Sequence, residues 1–154
     1  MMSFFSRLFG KSKTPPGEPD DDRPFMEYPS DEYESSLQAM TSAFERLSAG
    51  GYVDRWITFC GQGKGHREDS DQMEEVKVRG NTLDLRGQQL DLPALLQFAH
   101  LQGQVQIEVD GDGMVTLGGA TPEQMARFLD AVFQKHFGLR PHDDESDYAV
   151  GAEW

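Results

Sequence analysis

The chain has 154 residues, 37% of them apolar, with 14 basic against 27 acidic side chains and a formal net charge of −13. That length suits one domain with a sizeable core. The acidity disfavours nucleic-acid backbones, and no apolar run approaches the ~18 residues of a transmembrane helix. The lone cysteine, Cys60, excludes an intramolecular disulfide and a cysteine-rich zinc site.

The charge is unevenly placed. Residues 1–13 carry Arg7, Lys11 and Lys13 and no acid, whereas residues 14–34 set eight acids against Arg23 alone. On a helix, Phe4, Phe5, Leu8 and Phe9 would share one side, with Arg7 and Lys11 nearer the other. The order of charge and apolar residues does not fit a signal peptide. The expectation is a short binding element for an anionic membrane surface or a partner groove. Residues 14–30 hold five prolines and the run Asp20–Asp22, so a flexible acidic linker is expected. That run lacks the alternation of a calcium loop.

A single folded domain is expected over 31–138. Asp31 and Glu34 have capping-box spacing, and Tyr33, Leu37, Met40, Phe44 and Leu47 form one helical stripe ended by Gly50 and Gly51. Residues 52–60 read as a central strand. The glycine-rich, charged stretch 61–71 reads as a loop. Met73–Arg79 and Thr82–Arg86 then alternate around a Gly80-Asn81 turn, with Val76, Val78, Leu83 and Leu85 on the covered side. Asp91 and Pro93 open a short helix through Leu95, Leu96 and His100, ended by Gly103. Residues 104–109 and 114–117 form a hairpin around Asp110-Gly111-Asp112-Gly113. Thr121, Pro122 and Gln124 start a last helix with a stripe from Met125 to Phe137. Residues 139–154 read as an irregular acidic tail, in which Tyr148, Val150 and Trp154 are apolar enough to dock on something.

The order α-β-β-β-α-β-β-α predicts an α+β two-layer sandwich: a largely antiparallel five-stranded sheet with helices covering one face. In element order, size and acidity, residues 31–138 resemble the small acidic secretion chaperones of the type III kind and their cytoplasmic relatives. The resemblance implies a cytoplasmic protein that holds another protein.

Chemical signals are sparse. Gly61-Gln62-Gly63-Lys64-Gly65 follows a strand as a phosphate loop does, but no Ser or Thr follows the lysine, and Glu68, Asp69 and Asp71 would repel phosphate. Cys60 and His66 could pair as nucleophile and base, against a buried thiol and a surface imidazole. His66, His100, His136 and His142 have no metal-ligand spacing, so no metal and no cofactor are expected. The expected function is a non-enzymatic cytoplasmic protein-binding module, chaperone-, immunity- or adaptor-like. Its candidate contact residues are Phe4, Phe5, Arg7, Leu8, Phe9, Lys11, Tyr148 and Trp154. A protein partner, weak membrane-surface contact through residues 1–13 and homodimerisation are the expected associations, and nucleic acid is not among them. The alternative is a small enzyme using Cys60 and His66.

Overall fold

The computed structural model describes residues 35–49, 54–64, 71–141 and 147–153, together with the backbone of 25–26. Helix α1 (Ser36–Ala49) buries Ser36, Ala39, Met40, Ala43, Phe44 and Leu47, which recur at three- and four-residue steps and so share one face. Strands β2 (Ile57–Lys64) and β3 (Asp71–Arg79) pair antiparallel, with Ile57 opposite Val78 and Lys64 opposite Asp71. Gly80, at a φ of 58° that few side chains accept, turns the chain into β4 (Thr82–Asp84). Helix α2 (Leu92–Ala99) starts where the Asp91 carboxylate accepts the Ala94 N–H at 3.2 Å.

Strands β5 (Gln106–Val109) and β6 (Met114–Gly118) form the hairpin read from Asp110-Gly111-Asp112-Gly113. One Asp110 carboxylate oxygen accepts the N–H groups of Asp112, Gly113 and Met114 at 2.9, 3.0 and 3.0 Å. Helix α3 (Pro122–Ala131) opens on a reciprocal capping box between Thr121 and Gln124 and continues through one π turn, Val132–His136. The remaining strands are the two-residue β1 (Phe25–Met26) and β7 (Ala149–Glu153).

Among the described residues, the strands form one unclosed antiparallel sheet in the order β1-β7-β2-β3-β4-β6-β5. One face carries Ile57, Phe59, Val76, Val78, Leu83, Val115, Leu117, Val150 and Ala152, all buried. Helix α3 lies against both α1 and α2, and the three stripes supply the opposing layer. Phe44 of α1 stacks on Phe59 of β2 at 4.8 Å between ring centroids. The α+β two-layer architecture expected from the element order is the one observed.

The differences have local causes. The sheet has seven strands rather than five, because the acidic tail supplies β7 and the linker supplies β1. Ala149, Gly151 and Ala152 are weak strand formers, yet Tyr148, Val150 and Ala152 alternate onto the buried face, and pairing to β2 decides their conformation. Strand β2 runs on through Gly61-Gln62-Gly63-Lys64, a stretch that reads as loop by composition. Strand β4 stops at Asp84, so Leu85 is buried beyond the ladder. Helix α2 stops at Ala99, and His100 takes the left-handed cap conformation at φ 59° instead of Gly103 closing the helix. The expected helix start at Asp31 and Glu34, Tyr33, and the stop at Gly50 and Gly51 lie outside the described residues.

Candidate functional site

Three places in the fold hold the chemistry worth weighing. The first is a buried polar knot where α1, α3 and β7 meet. Tyr148 is fully buried, and its hydroxyl donates to Asp130 Oδ1 at 2.8 Å. Gln134 Nε2 donates to the same oxygen at 2.8 Å. Ser36 Oγ donates to the Tyr148 carbonyl, and the Ser36 N–H donates to Asp147 Oδ2. The Tyr148 ring meets Phe133 edge-on at 5.9 Å. Burial pushes the Asp130 carboxyl above the usual carboxylate range. Burial, then the neighbouring Asp130 charge, pushes the Tyr148 phenol well above its ordinary value. With its phenol enclosed and its partners supplied within the fold, this knot clamps β7 to the two helices.

The second place is the sheet face opposite the helices. Cys60 points to that side yet is only 1% exposed. Its thiol donates to Glu75 Oε2 at 3.8 Å. Burial, and then the negative charges of Glu75 and Glu153, push the thiol strongly up, so it stays protonated and weakly nucleophilic. The same face carries Thr58, Lys77, Arg79, Thr82, Asp84, Thr116 and Glu108, of mixed sign, spread across five strands. The Thr82 and Thr116 hydroxyls bond across the strands at 2.8 Å. The Arg86 side chain holds Asp84 through two contacts, at 2.9 and 2.8 Å, and keeps that carboxyl below its usual value. Arg79 lies over the Trp56 ring at 4.8 Å.

The glycines of the suspected phosphate loop have a packing role instead. A Cβ on Gly61 would sit 2.9 Å from Phe133 Cδ1, and one on Gly63 would sit 2.3 Å from the Arg140 carbonyl oxygen. The chain leaving α3 crosses β2 there, bridged by Lys64 N–H to Arg140 O at 2.8 Å and Arg140 N–H to Lys64 O at 3.2 Å. These backbone groups bond to each other, and the glycines let the crossing come close.

The third place is the far edge of the sheet, strand β5. Among the described residues it pairs with β6 alone. Its residue Val109 is 48% exposed, and Ile107 is part-buried against the core.

Of the candidate contact residues, Phe4, Phe5, Arg7, Leu8, Phe9, Lys11 and Trp154 lie outside the described residues, as does His66. Tyr148 lies inside the fold, occupied by Asp130 and Phe133. His136 meets Gln88 Oε1 at 2.8 Å. Among the described residues no group of three or more His, Cys, Asp or Glu is placed to hold a metal ion, and no helix is long and apolar enough to cross a membrane. Sequence reasoning missed Asp130, Ser36 and Gln134. The available signal for Asp130 was an acid set inside the apolar stripe of α3, between Leu129 and Val132.

No family model matches this chain, and neither a curated protein nor a solved structure matches it. The functional reading therefore rests on the residues themselves.

Proposed function

We propose that this chain is a non-enzymatic protein-binding module of the cytoplasm. The observation that carries this reading is the unclosed sheet, which ends at β5 with Ile107 and Val109 only partly covered and, among the described residues, paired on one side only. An edge of this kind is a template for another chain, and proteins that do not use one ordinarily blunt it. The likeness in element order to small secretion chaperones points the same way, though a fold carries no function by itself. What weighs against an enzyme built on Cys60 is a thiol held protonated and enclosed, where a nucleophile needs a depressed pKa and access.

The test is isolation of the tagged chain from its host, with quantification of what co-purifies. The expected result is one protein in near-equal molar amount, with recovery unchanged by Cys60→Ala. No stoichiometric protein, together with labelling of native Cys60 by a thiol-directed activity probe, would overturn the reading in favour of the enzyme.

A further inference from the structure

The register of the β5–β6 hairpin decides which backbone groups of β5 face outward. Asp110 N–H donates to the Met114 carbonyl, so Asp110 and Met114 are a hydrogen-bonded pair. In an antiparallel ladder bonded and non-bonded pairs alternate. Glu108 with Thr116 and Gln106 with Gly118 are therefore bonded pairs, and Val109 with Val115 and Ile107 with Leu117 are not. The other side of β6 agrees: Leu117 N–H turns away from β5 and donates to Asn81 O. The N–H and C=O groups of Ile107 and Val109 thus point out of the sheet edge. No hydrogen bond reaches them from any described residue.

The side chains complete the picture. Ile107 and Val109 continue the apolar layer of the sheet, on the face that bears Val115 and Leu117, and stay incompletely covered at its end. Gln106 and Glu108 lie on the opposite face, and Asp110 and Asp112 follow directly, all exposed. Gln106–Val109 is a short strand bearing one charge, Glu108, and it has no proline, lysine or bulge to block a further strand. The opposite edge of the sheet, β1, is only two residues long and offers far less.

Resting on the protein-binding reading above, we propose that β5 receives an extended segment of a partner protein by strand addition, and that this segment alternates apolar residues with lysine or arginine. The apolar side chains of such a segment extend the layer begun by Ile107 and Val109, and its basic side chains fall beside Glu108. A second copy of β5 paired antiparallel about its centre fits less well, because it would set Glu108 against its own counterpart. Backbone bonds give the attachment, and the acid rim selects the charge of the occupant.

The probe is a blocked nonapeptide of alternating valine and lysine, titrated into the labelled full chain by NMR and by fluorescence anisotropy. Saturable binding is expected, with the largest amide shifts at Ile107 and Val109, and weakening as salt rises. An alternating valine–glutamate peptide should bind at least about tenfold more weakly. Val109→Pro removes one outward donor and leaves the ladder to β6 intact, since proline is tolerated where the strand N–H faces outward. It should weaken the valine–lysine peptide about tenfold without changing the rest of the spectrum. Glu108→Lys should lower the affinity for the lysine peptide and raise it for the glutamate peptide. Absence of saturable binding, equal binding to the Val109→Pro chain, or shifts centred away from β5 would each overturn the proposal. A stoichiometric host partner that binds wild type and Val109→Pro alike would leave the protein-binding reading standing and remove this edge as its site.

Discussion

Gly63→Ala tests the claim that the glycine-rich stretch is a crossing point between β2 and the chain leaving α3. The added Cβ would stand 2.3 Å from the Arg140 carbonyl oxygen and 3.2 Å from Tyr148 Cβ. The first neighbour is backbone, so relief requires the two chains to part by about 1 Å. That movement strains or breaks the two Lys64–Arg140 bonds, each worth about 1 kcal/mol net. Overpacking of a filled site adds about 1–3 kcal/mol. The expected loss is about 3–5 kcal/mol. The three atoms nearest a Cβ on Gly61 belong to the side chains of Phe133 and Leu139, so Gly61→Ala should cost about 1–3 kcal/mol. Gly111→Ala meets nothing within 4 Å and should stay within about 0.5 kcal/mol of wild type. Urea unfolding followed by far-ultraviolet circular dichroism gives the three values, provided the slopes agree. Hydrogen exchange at the Lys64 and Arg140 amides reports the crossing itself. A Gly63→Ala chain within about 0.5 kcal/mol of wild type, or one no less stable than Gly61→Ala, would refute this account of the glycines.

Other expectations follow from the polar knot and from β7. The raised Asp130 pKa means that the folded chain holds that proton more tightly than the unfolded chain. Stability should therefore fall as pH rises from the ordinary carboxylate range through the folded pKa. Asp130→Asn should flatten that slope in urea melts taken across pH, and an unchanged slope would contradict the assignment. Tyr148→Phe removes a donor to a half-buried carboxylate and should cost about 1–3 kcal/mol at neutral pH, read by the same melts. Cys60→Ala should cost about 1–2 kcal/mol. The native thiol should react with a disulfide reagent on the order of 100-fold more slowly than the unfolded chain. A chain ending at Asp147 loses the buried Tyr148, Val150 and Ala152 and bares one edge of β2. It should show no cooperative unfolding transition in calorimetry at neutral pH.

Local patterns were legible where a short stretch contains its own cause. The Thr121–Gln124 capping box, the Asp91 cap and the Asp110–Gly113 turn appear as read, because each is closed by bonds within a few residues. The alternation in β3 and β5 and the stripes of α1 and α3 likewise carry the period of their element. From these the two-layer α+β arrangement follows, since each stripe and the apolar sheet face must cover one another. Other features depend on residues distant in the chain. Gly61 and Gly63 read as loop until Phe133 and Arg140 lie across them. The stretch Ala149–Glu153 reads as tail until β2 and β1 take it between them. Asp130 reads as a surface acid until Tyr148, 18 residues on, closes over it. That β5 is an edge among the described residues is a property of the strand order, in which a sequence neighbour on one side and none on the other leaves Ile107 and Val109 facing outward. Local chemistry determined the helices, the turns and the alternating inner strands of this protein, and tertiary contact decided β1, β7, the far end of β2 and which edge is open, because only pairing across the sheet sets where each strand lies.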